Sequence, residues 1–403
     1  MKRRPFCQVL NQYKKGAAVM IYGIASIIRI LTLSFSVGLA FSAYAYAETN
    51  CGAPSGGAAG WEIAGPGDVG VDPNLLCSLV QHGADLKENN VHAILVARHG
   101  KLIFEQYYSG SDEKWGQQLG DVTFGPTVPH DLRSISKSVV SLVLGIGIDK
   151  GWVHDIDQPV FALLPNYADL RSPEKDRVRL RDLLTMSSGL TWNEHLPYGN
   201  PENSETRMDR AADPCRFVLE QPVQHSPGSV WNYSGGSAAL IACVLHQATG
   251  KTIDQLAEEN LFKPLGISNA EWAPYPKIGA PVAASGLRLL PGDTLKIGQL
   301  VLNKGMWHGQ QIVPAAWIQQ ATTPQINGPG SYFYGFQFWL GRSLVNQRQV
   351  DWAAGFGYGG QHLVIIPSLD MVVLIHAGLY GNPAADGIGD AILNRFILPA
   401  AAP

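Results

Sequence analysis

Apolar positions along the chain change period several times, and each change marks an element. Residues 92–98 and 101–108 are apolar-rich runs split by His99-Gly100, which predicts a β-hairpin. A helical pattern precedes it at about 73–88. From 134 to 150, Val139, Val140, Leu142, Val143 and Ile146 fit a buried helix that Gly151 closes. Residues 152–275 read as short helices and long loops, punctuated by Pro159, Pro165, Gly189, Pro197, Gly199, Pro201 and Gly228. Helical patterns recur at about 236–248 and 293–303. Strand patterns return at 333–340, 361–366 and 371–376, with a turn at 367–370 and a final helix at about 384–397. Strands and helices do not alternate regularly, so a doubly wound parallel sheet is disfavoured. The expected class is α/β in the α+β sense: an antiparallel sheet built from both chain ends, flanked by helices, with a mostly helical insertion over about 152–300.

Charge is unevenly spread. The 403 residues hold 30 Lys+Arg and 33 Asp+Glu, but residues 1–47 hold six basic side chains and no acidic one, so the remainder carries a net charge of −9. That basic start, the apolar run over 30–41 and Ala45-Tyr46-Ala47 before Glu48 predict a cleaved signal peptide over 1–47. Arg29 interrupts the longer apolar stretch from Ala17, which argues against an uncleaved membrane anchor. The expected mature chain, 48–403, has no second stretch able to span a bilayer, and its expected location is the periplasm or the exterior. No basic cluster exists to hold nucleic acid. Cys51, Cys77, Cys215 and Cys243 remain after cleavage and allow three disulfide pairings. Proximity in the chain favours Cys51–Cys77 with Cys215–Cys243. No cysteine or histidine spacing implies a metal, and no cofactor is expected.

Ser134-Ile135-Ser136-Lys137 is the sharpest chemical feature. Three residues apart on a helix, Ser134 and Lys137 share one face. A serine hydroxyl needs an adjacent base, and burial at a helix start disfavours an ammonium, so Lys137 is a candidate base. The bland alternative is a surface N-cap serine beside a solvated lysine. Tyr233, after the Pro227-Gly228 turn, is a candidate proton relay or simply a packed loop tyrosine. Residues 355–361 are glycine-rich and lead into a strand. Such a run lets backbone approach a ligand closely and offer an oxyanion-binding N–H. It lacks the strand–loop–helix context of a dinucleotide site.

These three features, in this order, resemble the serine β-lactamase and penicillin-recognising family. The likeness is strongest to its class C-like branch, which contains esterases and 6-aminohexanoate-dimer hydrolases. It runs from the hairpin through Leu183-Leu-Thr-Met-Ser-Ser-Gly-Leu190 to Gly357-Tyr-Gly-Gly-Gln361. The resemblance implies a β-lactamase/transpeptidase-like fold. It also implies Ser134 as acylated nucleophile, Lys137 as general base, Tyr233 as relay, and the N–H groups of Ser134 and Tyr358 as oxyanion hole. The loop after Gly189 would overhang the site, with Asp209 a possible substrate-binding residue or a solvated loop aspartate.

Two motifs depart from the family. Tyr233-Ser234-Gly235 lacks the asparagine of Tyr-x-Asn, and Gly355-Phe356-Gly357 lacks the lysine of Lys-Thr-Gly. Loss of such a charge-assisted contact is worth roughly 1.5–3 kcal/mol, which argues against efficient β-lactam turnover. The expected activity is hydrolysis of a small ester or linear amide. A β-lactamase or D,D-peptidase, and a non-catalytic penicillin-binding-like sensor, are the alternatives. Substrate identity and oligomeric state are not legible.

Overall fold

In the computed structural model, which describes residues 51–58 and 60–401, the predicted hairpin forms the second and third strands of a nine-stranded sheet. The leader expected over 1–47 lies outside the described residues. The strands are β1 (Glu62–Ile63), β2 (Val91–Arg98), β3 (Lys101–Tyr107), β4 (Ile326–Asn327), β5 (Phe333–Tyr334), β6 (Trp339–Val345), β7 (Arg348–Gly357), β8 (Gln361–Ile366) and β9 (Met371–Ala377). Their spatial order is β1-β3-β2-β9-β8-β7-β6-β5-β4. Only the short β1 runs parallel to its neighbour. Leu95 on β2 sits opposite Leu374 on β9, which joins the two ends of the chain as expected.

The sheet is covered on both faces, and that explains its unbroken apolar runs. Ala93, Leu95 and Ala97 point into one core with Leu363, Ile365, Val372 and Leu374. Ile94, Val96, Val364, Ile366, Val373 and Ile375 point into the other. Alternate residues therefore serve opposite cores, as the strand period of two requires.

The helices that matter to the site and its support are α1 (Pro73–Gln81), α2 (Gly83–Glu88), α3 (Ile135–Asp149), α4 (Ser204–Asp209), α5 (Gly235–Thr249), α6 (Pro291–Leu302) and α7 (Ala385–Ile392). Asp72 caps α1 by accepting from the N–H groups of Asn74 and Leu75. Every residue of α3 from Ile135 to Gly147 is buried, so this helix runs through the core rather than over it.

Four expectations are corrected. The single helix at 73–88 is two helices, because His82 leaves helical geometry and caps α1. The strand at 333–340 is a hairpin. Gly335 N–H bonds Phe338 O (2.9 Å), and Gln337 adopts φ +62°. Strand β7 went unread because its inner positions are small (Ala353, Ala354, Gly355). A hairpin of Ser109–Lys114 and Gln117–Thr123 is mostly polar on both faces, so no alternation announced it. Cys51–Cys77 and Cys215–Cys243 are the disulfides formed. No helix among the described residues is long and apolar enough to cross a membrane. Both facts are compatible with an extracytoplasmic protein.

Candidate active site

The turn into α3 sets up the site. Arg133 has φ +48°, a left-handed conformation that costs energy for a residue with a side chain. It is held there by ion pairs to Asp131 and Glu113 (3.3 Å each) and by the Tyr380 ring under its guanidinium (4.9 Å). Ser136 takes over the local backbone bonds: its Oγ donates to Arg133 O (2.6 Å) and accepts from Leu287 N–H (3.1 Å). Ser134, at the N-cap position, makes no capping bond and keeps its hydroxyl free for Lys137. Lys137 Nζ donates to Ser134 Oγ (2.9 Å) and Ala284 O (3.0 Å). Ser134 is 9% exposed and Lys137 1%. A capping serine beside a solvated lysine is therefore ruled out.

Tyr233 arrives from the start of α5. Its loop is fixed by Asn232, whose N–H bonds Met186 O (2.7 Å) and whose Nδ2 bonds Trp192 O (3.0 Å). The ring centroid lies 5.0 Å from Lys137 Nζ, and the phenol interacts by hydrogen bonding with Ser134 and Lys137. Trp339 stacks on the far side at 5.8 Å. Burial, ahead of the opposing Lys137 charge, raises the phenol above its ordinary value. Tyr358 follows β7, with its ring 4.8 Å from Tyr198 and 5.8 Å from Tyr380. Gly357 just before it lets the strand lie against Leu132 O, where a Cβ would overlap that carbonyl. The third motif is thus brought to the chain segment that leads into Ser134.

The loop after Gly189 does reach this centre, and it delivers two carboxylates that sequence reasoning missed. Glu205, at the start of α4, is 2% exposed. Its Oε2 lies 3.9 Å from Lys137 Nζ, and its Oε1 accepts from Ser285 Oγ (2.8 Å). Glu194 accepts from Gly235 N–H (2.6 Å), Trp192 Nε1 (2.6 Å) and Tyr198 hydroxyl (3.0 Å). Gly235 stands where the family has asparagine, and a Cβ there would overlap Glu205 Oε2. Glu205 thus occupies the space that a side chain at position 235 would need. No spacing signals it, because Glu194 and Glu205 come from a loop far along the chain from Lys137. At Gly355, the place of the family's lysine, a Cβ would press on Ile135 (3.2 Å) and Ser138 (3.3 Å). Helix α3 packs closely against this position.

These neighbours set the protonation states. Burial works against charge on Lys137, but Tyr233, Glu205 and Glu194 outweigh it and hold the ammonium above the ordinary lysine value. Burial also opposes charge on Glu205, yet Lys137 and its hydrogen bonds pull it below the carboxylate range. Glu194 is pushed up to about 8, by burial and then by Glu205. Asp209 follows the same pattern and also reaches about 8. Half-buried at the end of α4, with Oδ1 lacking a hydrogen-bond partner, Asp209 is no solvated loop residue. Burial at a helix start is expected to disfavour the ammonium of Lys137; here its counter-charges outweigh that effect.

The beta-lactamase family model matches residues 82–394. The 6-aminohexanoate-dimer hydrolase of Paenarthrobacter ureafaciens is 24% identical over 72% of this chain and 73% of its own length. The lovastatin esterase of Penicillium rubens is 26% identical over 48% of this chain and 50% of its own. Among solved structures, a family VIII carboxylesterase superposes with a TM-score of 0.57 at 16% identity, over 82% of this chain and 98% of that one. The fold, the match over most of its length and the hydrolases among its relatives agree: this chain belongs to the beta-lactamase family of serine hydrolases.

Proposed function

We propose that residues 48–403 form an exported serine hydrolase domain that cleaves a small ester or linear amide through an acyl-enzyme on Ser134. The observation that carries this reading is the 2.9 Å contact from Lys137 Nζ to Ser134 Oγ, buried and shared with the Tyr233 phenol. Ser134 Oγ attacks the carbonyl carbon. Lys137 takes the hydroxyl proton as it passes one of its own to Glu205, so Lys137 stays an ammonium while Glu205 becomes neutral and the pair gains one positive charge, balancing the oxyanion. The oxyanion accepts hydrogen bonds from the N–H groups of Ser134 and Tyr358. Collapse breaks the bond to the leaving group, which takes its proton from Tyr233. The resulting phenolate is stabilised by the Lys137 ammonium and removes a proton from water. Hydroxide then attacks the acyl carbon, Ser134 leaves with a proton from Lys137, and Glu205 returns the borrowed one.

Trp231 and Trp339 pack against Tyr233, and Tyr198 packs against Tyr358, so aromatic surface adjoins the centre and favours an apolar substrate. Asp209 would accept from an amide or ammonium of that substrate. The absence of a lysine at Gly355 supports ester or linear amide over β-lactam. Ser134→Ala should abolish fluorophosphonate labelling and turnover of short-chain p-nitrophenyl esters. Unchanged labelling would refute the nucleophile. Nitrocefin cleaved faster than the esters would instead favour the β-lactamase reading. Export predicts that the mature protein begins at Glu48, which N-terminal sequencing checks.

A further inference from the structure

A second group of buried titratable side chains plays no part in that proton transfer. His92 on β2, Asp112 in the Ser109–Lys114 strand and His130 in the two-residue His130–Asp131 strand converge four residues upstream of Ser134. All three are 1% exposed or less. One donor atom from each lies within 4.8 Å of the others. His92 Nδ1 is 2.9 Å from His130 Nε2, and Asp112 Oδ1 is 4.0 Å from the first and 3.7 Å from the second.

The outward nitrogens decide what the inward ones carry. His130 Nδ1 faces the carbonyl oxygen of Asp131 at 3.0 Å, which can only accept, so Nδ1 bears the hydrogen. His92 Nε2 faces Asn90 Oδ1 at 3.2 Å. The Asn90 amide is oriented by its Nδ2, which donates to Ser111 O and Gly378 O (2.9 Å each), so Oδ1 is the acceptor and Nε2 the donor. A neutral imidazole has one N–H. Both inward nitrogens therefore present lone pairs to each other at 2.9 Å, beside a carboxylate, in a dry interior. Such a contact is repulsive unless an electrophile occupies it, and the candidates are a proton and a metal ion. Both rings are fully buried, and burial disfavours a charged imidazolium. Asp112 Oδ2 is also buried with no hydrogen-bond partner.

We propose that His92, His130 and Asp112 form a binding site for a divalent transition-metal ion of the zinc type. Two imidazole nitrogens and one carboxylate oxygen suit such an ion, and each histidine donates its second N–H to an oxygen, as metal-bound histidines do. Tetrahedral zinc with bonds of about 2.0–2.1 Å wants its donors about 3.3 Å apart. The present spacings of 2.9, 3.7 and 4.0 Å bracket that value, so shifts below 1 Å suffice. A cleft of about 510 Å³ bordered by Asn90, Ser111, Gly378 and Tyr380 lies beside the group, with the backbone of Gly378 close against His92. The ion would fasten three separate segments behind Asp131, the residue that pairs with the strained Arg133 before the nucleophile.

Chelator-stripped protein titrated with Co2+ should bind one ion per chain, show visible d–d bands, release it to Zn2+ and melt at a higher temperature with either metal. Asp112→Asn, near-isosteric, should weaken Co2+ binding about 100-fold or more and lose the melting shift, with an unchanged circular dichroism spectrum. Asn90→Ala, which frees the His92 tautomer without touching a ligand, should weaken it about tenfold. Absence of d–d bands in the wild type would overturn the site in favour of a shared proton. Wild-type affinity in Asp112→Asn would overturn it in favour of surface binding.

Discussion

At the scale of single residues, the centre is governed by which charge Lys137 sees. A lysine in an apolar helix would shed its proton, but this one has a carboxylate 3.9 Å away and a second acidic side chain behind it. In the proposed mechanism this arrangement makes Lys137 the middle of a relay rather than a plain base. Glu205→Gln should lower kcat/KM for p-nitrophenyl esters roughly 100-fold, the size of a lost acid–base step. Lys137 should then titrate lower, so the residual activity should shift its pH profile to more acidic values. Glu205→Asp should recover part of the rate. If Glu205→Gln keeps wild-type kcat/KM and pH profile, Glu205 is only a structural counter-ion. Gly235→Ala tests the same contact from the other side, because a Cβ there would displace Glu205 Oε2. Its pH profile should move in the same direction as that of Glu205→Gln.

At the scale of elements, the disulfide between Cys215, in the Pro214–Glu220 helix, and Cys243 in α5 braces the helix whose first turn follows Tyr233. It closes a loop of 28 residues, so the Cys215→Ala/Cys243→Ala double variant should lose about 2–4 kcal/mol in urea unfolding. Below the unfolding transition its ester kcat should stay near wild type, since neither cysteine touches the site. A kcat loss without a stability loss would contradict the bracing role. The same scale shows what sequence could reveal. Ser134 and Lys137 were legible because one helical turn brings them together. The strands 361–366 and 371–377 were legible because both faces are buried. Tyr233 was legible only through the family likeness. Glu194 and Glu205 were not, because a loop without periodicity carries them to Lys137. The His92, Asp112 and His130 group was hidden likewise, since three strands each supply one member. Strand β7 escaped because alanine and glycine carry no apolar signal, yet small side chains are what let it lie against α3.

At the scale of the whole molecule, the buried acidic group couples folding to pH. Glu194 keeps its proton to about 8 in the folded state against an ordinary 4.5, and Asp209 to about 8 against 3.8. The unfolded chain releases both near the ordinary values. Between those limits the folded protein binds more protons than the unfolded one, so stability falls as pH rises. Below about 6.5 the buried His362 adds the opposite slope, because burial keeps it neutral while the unfolded chain takes up a proton. Glu205, shifted down, loses its contribution only as pH drops below the ordinary carboxylate value. Lys137, shifted up, loses its own only at alkaline pH. The groups facing the acids from neighbouring elements, Lys137, Tyr233 and Tyr275, are all shifted up and keep their protons between pH 7 and 8. That window therefore isolates Glu194 and Asp209. The urea midpoint should fall from pH 7 to pH 8, by at most about 1.4 kcal/mol per proton per pH unit. Glu194→Gln and Asp209→Asn should each flatten the slope, and the double variant should flatten it further. A wild-type slope in the double variant would mean that both carboxylates are already ionised at pH 7. Lys137 would then sit among three negative charges, which would hold its ammonium more firmly.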